Sequence, residues 1–155
     1  IGAEAIKTGL NNFKGAKRRM EYKGNVLGAQ IFDDYGHHPT EIGATLEGVK
    51  TSCDGRVVCV FQPHTYSRTA ALADRFADAF ECADEVILTD IYAARETNES
   101  GITSAKLAEM IGNKAVYGGD IEATAECLRK RVCDGDTVIV MGAGDIFKIF
   151  SKLGL

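Results

Sequence analysis

The sequence predicts an open α/β fold, a Rossmann-like and mostly parallel sheet in three layers with helices on both faces, preceded by a short β segment. Two observations carry this reading. Short runs rich in valine and isoleucine recur at Ala29–Phe32, Val57–Phe61, Val86–Thr89, Ala115–Tyr117 and Thr137–Met141, without the polar alternation of a half-wet strand. Between them, apolar residues return at helical spacing, so strands and helices take turns along the chain.

The elements follow in order. Ile1–Asn12 reads as a helix, and Lys17–Lys23 as an exposed polar strand after Gly15. With Gly24-Asn25 as the turn, Arg19–Lys23 and Val26–Phe32 are expected to pair as a hairpin. Ile42, Leu46 and Val49 form the first helical stripe, with Pro39 in the first turn, where its missing N–H costs nothing. Leu72, Phe76 and Phe80 form the second, with Asp74, Arg75, Asp78 and Glu81 on the wet side. Leu107 and Ile111 mark a third helix, opened by Thr103 or Ser104 and closed by Gly112. Ile121, Ala125 and Leu128 mark a fourth with Asp120 as its N-cap. Ile146 to Leu153 is a short last helix.

Composition narrows the function classes. The 155 residues fit one domain with a real core. A net charge of -4 and a pI near 5.4 argue against a nucleic-acid partner, which selects for a basic face. No apolar run approaches the roughly 18 residues needed to span a bilayer, and Glu4 and Lys7 interrupt the first segment as no secretory leader would. The cysteines, Cys53, Cys59, Cys82, Cys127 and Cys133, are odd in number and lack CxxC spacing, so buried free thiols and a reducing cytoplasm are expected.

Reactive residue types gather just after the carboxyl ends of the expected strands. Asp33-Asp34-Tyr35-Gly36-His37-His38-Pro39-Thr40-Glu41 follows the first core strand, and Gln62-Pro63-His64-Thr65-Tyr66-Ser67-Arg68-Thr69 the second. Asp90-Ile91-Tyr92-Ala93-Ala94-Arg95-Glu96 follows the third, and Gly142-Ala143-Gly144-Asp145 the last. In an open parallel sheet these loops share one edge, where ligands bind. Asp34 is a hydroxyl acceptor suited to a ribose, and His37 a donor to phosphate near a helix start. Alternatively, Asp34 only bonds that helix start, with His38 and Pro39 as its first residues. Arg68 can hold a small carboxylate by two parallel hydrogen bonds, or else pairs on the surface with Asp74 or Glu99. The charges Asp90, Arg95 and Glu96 either line a site or order a long loop. His37-His38 with Glu41 lacks a third spaced ligand, so no metal site is expected. Gly142 and Gly144 fall short of a dinucleotide fingerprint, because Phe147 stands where the third glycine belongs; a tight turn for close backbone approach fits better. The chain has no GxxxxGK[ST], GxSxG or HExxH. It reads as half of an anionic-ligand site without a phosphate cradle.

These loops resemble the C-terminal domain of the Mur ligases. The likeness rests on Phe13-Lys14-Gly15-Ala16-Lys17-Arg18-Arg19-Met20-Glu21, Asp33 to Glu41, Phe61 to Thr69, Asp90 to Glu96 and Gly142 to Ile146, in order across nearly the whole chain. Asp34-Tyr35-Gly36-His37-His38-Pro39 places the chain in the family, and His64-Thr65-Tyr66-Ser67-Arg68 points to an alanine-adding member. The resemblance implies residues 13–155 as the amino-acid-binding domain and 1–12 as a linker or the end of a preceding central domain. It implies an enzyme using ATP and Mg²⁺, neither held by this domain alone, to join L-alanine to UDP-N-acetylmuramate through an acyl phosphate in peptidoglycan synthesis. The N-terminal and central domains of the same polypeptide would bind the sugar nucleotide and hold the P-loop. Asp34 and His37 would then bind ATP, while Tyr35, His64 and Arg68 would bind alanine. His38, Tyr66, Asp90, Arg95, Gly142, Gly144 and Asp145 would support them, and no catalytic base is assigned. Many members carry arginine where this chain has Thr65, which shifts weight onto Arg68. Two other readings stay open: a stand-alone nucleotide- or anion-binding regulatory module, and a family member that recycles peptide onto the sugar.

Overall fold

In the computed structural model, which describes residues 1–13 and 15–155, six strands form one sheet in the order β1-β2-β6-β3-β4-β5. Lys14, part of the Phe13–Glu21 segment, lies outside the described residues. The strands are β1 (Glu21–Val26), β2 (Ala29–Asp34), β3 (Val57–Phe61), β4 (Glu85–Thr89), β5 (Ala115–Gly119) and β6 (Thr137–Met141). Among the described residues only the β1–β2 pair is antiparallel. The helices are α1 (Ala3–Asn12), α2 (Pro39–Ser52), α3 (Tyr66–Ala71), α4 (Ala73–Ala79), α5 (Ser104–Ile111), α6 (Ile121–Arg131) and α7 (Ile149–Leu153). No helix among the described residues is long and apolar enough to cross a membrane.

Handedness explains the layers. From β2 to β3, β4 and β5 the chain steps across the sheet in one direction, so right-handed crossovers place α2, α4 and α5 on one face. The step from β5 to β6 runs backwards and puts α6 on the other. Each side chain then alternates between two cores. Val57, Cys59 and Phe61 of β3 pack with Ile42, Leu46, Phe76, Phe80 and Leu107, while Val58 and Val60 pack with Leu128, Ile149 and Phe150. Each such large side chain, fully buried, contributes about 1.5–3 kcal/mol. Because β6 lies between β2 and β3 but sends its chain to the opposite face, a crevice opens at their carboxyl ends.

Several local expectations need correcting. The hairpin turn is Leu27-Gly28, not Gly24-Asn25: β1 pairs with β2 from Val26 opposite Ala29 to Glu21 opposite Asp33. Leu27 and Gly28 have φ of 51° and 86°, as a two-residue turn of this hand requires. Gly24 instead sits at a bulge beside the Leu155 side chain. This register buries Val26 and Ala29 together and sets the Tyr22 ring 5.5 Å from Phe32. The stripe Leu72, Phe76, Phe80 is not one helix. It breaks at Leu72 (φ -113°, ψ 12°), three residues after the buried Thr69 turns its hydroxyl back onto Thr65 O (2.6 Å). The last helix begins as a 3-10 turn, Ile146–Lys148. Of the cysteines, all free, Cys59 is buried, Cys53, Cys82 and Cys127 are half-buried, and Cys133 is exposed.

The amino edge of the sheet is closed by charge. Asp136, almost wholly buried, accepts from Arg56 Nε (3.0 Å) and Nη2 (2.7 Å) and from Cys133 N (2.8 Å). Burial pushes its carboxyl up, but these donors outweigh burial and hold it below the usual carboxylate range. A lowered folded pKa means stability present above the unfolded carboxylate value and lost as pH falls through the folded one. Arg56 is 42% exposed, so solvent discounts the pair to about 1–2 kcal/mol. Asp136→Asn is therefore expected to lower Tm at pH 7 and to flatten the decline of Tm below about pH 4; melts from pH 7 to pH 3 check both, and an unchanged acid limb would refute the assignment.

Candidate functional site

The site grows from the turn after β2. Asp33 and Asp34 are the last residues of that strand rather than loop residues, and both are buried. Asp34 accepts from Gly36 N (2.7 Å) and from Met20 N (3.0 Å). Asp33 accepts from Arg18 Nε at 3.2 Å, and the same guanidinium donates to Gly142 O at 2.6 Å. It also lies over the rings of Tyr35 (4.9 Å) and Phe147 (5.5 Å). Tyr35 N donates to Arg18 O (2.8 Å), so Arg18 holds Tyr35 from both its backbone and its ring.

His38 caps α2, its Nδ1 accepting from Thr40 N (3.2 Å), while Glu41 accepts from His37 N (3.0 Å) and His38 N (3.2 Å). Those bonds hold Glu41 below the usual carboxylate range. The capping box orders the helix start and leaves His37 pointing along the rim. Its ring lies 5.7 Å from Tyr35 and 6.1 Å from His64. His64 lies 5.4 Å from Tyr92 of the loop after β4, so four rings from three loops run as one row.

The loop after β3 is held in a costly shape. Thr65 has φ 65° and ψ 144°, a region that a β-branched residue avoids at a cost of about 1–3 kcal/mol. Thr65 N donates to Tyr92 O (2.8 Å) and Tyr92 N to Pro63 O (2.9 Å), pinning the strain. Burial, with Arg68 and His37 nearby, pushes the His64 pKa below the ordinary imidazole value, so its ring is neutral at pH 7. Its Nδ1 is the one buried side-chain polar atom without a hydrogen-bond partner among the described residues. Arg68 is half-buried and forms no ion pair there, with Asp74, Glu99 or any other acid.

The remaining expected residues serve other ends. Gly142 and Gly144 permit close approach to the chain itself: a Cβ on Gly144 would lie 2.7 Å from the Tyr92 ring, and one on Gly142 3.1 Å from Gln62 O. Gln62 ties the turn, donating to Asp145 (2.9 Å) and accepting from Ile146 N (3.0 Å). Asp145 also pairs with Lys148 (2.8 Å). Asp90 accepts from Tyr117 OH at 2.5 Å, which with burial pushes that phenol up to about 12. Tyr66 lies between two clefts, one of about 460 Å³ with Arg95 and Glu96 and one of about 570 Å³ with Asp90 and Tyr117. The structure thus brings Tyr35, His37, His64 and Arg68 together, sets Asp34 beneath them, and leaves Asp90 and Arg95 to one side. Reading the sequence assigned no separate role to Arg18 or Tyr92, and named Gln62 and Glu96 only among the polar residues of their loops.

Fold and rim together define a doubly wound α/β domain with tyrosine and histidine rings and an arginine along the carboxyl edge of its sheet. The chain belongs to the Mur ligase family: the family model for the Mur ligase, glutamate ligase domain matches residues 18–144. A UDP-N-acetylmuramate–L-alanine ligase of Lachnospira eligens is 51% identical over 156 residues, 99% of this chain and 34% of that protein. The chain therefore spans about a third of the length of the curated relatives it matches. The UDP-N-acetylmuramate-alanine ligase structure from Thermotoga maritima superposes with a TM-score of 0.72 at 22% identity, over 97% of this chain and 34% of that one. A bifunctional folylpolyglutamate synthase/dihydrofolate synthase of Yersinia pestis, complexed with AMPPNP and Mn ion, gives 0.66 at 20%, over 99% and 33%. At these identities the structures bear on fold alone.

Proposed function

We propose that this chain is the amino-acid-handling domain of an ATP-dependent ligase that joins L-alanine to UDP-N-acetylmuramate in the cytoplasm, during peptidoglycan precursor synthesis. The observation that carries the reading is an arginine without an acidic partner among the described residues, beside a histidine whose burial favours its neutral form. An amino acid has the matching ends. Its carboxylate takes the two parallel donors of Arg68, and its nitrogen finds an acceptor in uncharged His64. Tyr35 and the ring row supply an apolar wall for a small side chain.

ATP, where the carboxylate of the sugar nucleotide is to be activated, supplies the phosphoryl group. Asp34 is proposed as an acceptor for its ribose and His37 as a phosphate neighbour. Two backbone bonds occupy only part of the Asp34 carboxylate, which offers about four lone-pair sites. Among the described residues no group of three or more His, Cys, Asp or Glu is placed to hold a metal ion. We assign the metal and the phosphate cradle to the rest of the polypeptide, with the sugar-nucleotide site. The amide-forming reaction is then expected to be completed at a domain junction, where closure keeps water from an activated carboxylate.

The full-length polypeptide is expected to release phosphate from ATP only when both UDP-N-acetylmuramate and L-alanine are present, whereas residues 1–155 alone release none. Release that ignores alanine, or that requires a tripeptide instead, would refute the reading.

A further inference from the structure

The loop after β4 turns tightly at Ala94 (φ 58°), with Glu96 N donating to Ala93 O, and this brings the Glu96 carboxylate back against the start of α3. There it accepts from Ser67 N (2.9 Å) and from Ser67 Oγ (2.6 Å). These bonds, the hydroxyl's first, hold Glu96 below the usual carboxylate range, so the contact persists at neutral pH. The two loops are therefore fastened twice: through the backbone at His64 and Tyr92, and through this side chain at Ser67. Between the two fastenings lie strained Thr65 and Tyr66, and Arg68 follows directly.

We propose that Glu96 is a positioning residue for the amino-acid site, a role that rests on the function proposed above. It acts in two ways. It locks the first turn of α3, and with it the direction in which Arg68 and His64 face the rim. It also satisfies the Ser67 donors internally, so an incoming carboxylate is read by the planar fork of Arg68 rather than by the helix start. Among the described residues Glu96 makes no ion pair with Arg68, so the guanidinium keeps its donors for a ligand. Loss of the clamp frees Arg68 to swing, and displacements of about 1 Å suffice to weaken such a site strongly.

The test is steady-state kinetics on the full-length polypeptide carrying Glu96→Ala, Glu96→Gln or Ser67→Ala. Glu96→Ala is expected to raise KM for L-alanine about tenfold, with kcat and the KM for ATP changed less than about twofold. Ser67→Ala, which removes one of the two bonds, should give a smaller rise. Glu96→Gln, whose amide oxygen still accepts, should recover part of the loss. A merely structural residue would instead lower active enzyme and kcat with the alanine KM unmoved, and that pattern overturns the proposal. If Glu96→Ala does not fold, Ser67→Ala decides alone. An unmoved alanine KM in these variants, with Arg68→Ala still raising it, overturns the Glu96 role only; no effect from Arg68→Ala overturns the alanine pocket itself.

Discussion

Arg68→Ala in the full-length polypeptide is expected to raise KM for L-alanine by about 10- to 100-fold, with kcat little changed. A two-bond contact between guanidinium and carboxylate is worth about 1.5–3 kcal/mol net, and each 1.4 kcal/mol is a factor of ten. The carboxylate of alanine takes no part in bond making, so the contact is equally strong in ground and transition states, and its loss falls on KM. Arg68 has no acidic partner among the described residues, so removing it strands no buried charge, and Tm should shift by no more than about 2 °C. Arg68→Lys keeps the charge and loses the fork, and is expected to recover less than about tenfold of the loss. Initial rates against alanine concentration, with a melt of each variant, check all three. An alanine KM that does not move would place the carboxylate elsewhere.

The frame of this site was legible because it depends on local rules. β3 and β6 match their predicted bounds, since unbroken apolar runs, Val57–Phe61 and Val138–Met141, leave little freedom. Thr103, Gly112, Asp120 and Pro39 end or begin helices where capping chemistry places them. Strand-and-helix alternation then implies a common carboxyl edge, and the loops bearing Tyr35, His37, His64 and Arg68 do meet there. What was not legible depends on chain approaches that no local pattern encodes. The hairpin turns at Leu27-Gly28 and not at the expected Gly24-Asn25, in a register that buries Val26 and Ala29 together and sets Gly24 beside Leu155. Glu96 looked like one charge among several in a long loop, and only the turn at Ala94 aims it at Ser67, 29 positions away. Of the two histidines in a row, the capping box takes His38, one expected reading of which was a helix-start residue, and leaves His37 on the rim.

Arg18 was the least legible and carries the largest expected effect on stability. Arg18→Ala is expected to destabilise the domain by about 2–4 kcal/mol, lowering Tm at pH 7 by about 5–15 °C. Three losses combine. The buried Asp33 loses its ion-pair partner, the Gly142 carbonyl loses a 2.6 Å donor, and the Tyr35 and Phe147 rings lose the cation between them. Arg18 is 23% exposed against 3% for Asp33, so the estimate sits below that for a fully buried pair. The pH dependence identifies the cause. Burial already raises the Asp33 pKa, with Arg18 opposing it, so removing Arg18 raises the folded value further. A raised carboxyl contributes stability below its unfolded pKa and loses it as pH rises through the folded one. The deficit of Arg18→Ala should therefore be greatest at neutral pH and shrink towards about pH 4. Asp33→Asn in the Arg18→Ala background should recover part of it, because no charge is left stranded. Melts of the two single variants and the double variant at pH 7 and pH 4 close the cycle; strict additivity at both pH values would show that the pair is not coupled. Coupling would mean that the segment ahead of β1, which also holds Tyr35 through its backbone, is built into the rim by the same charge that opposes the effect of burial on Asp33.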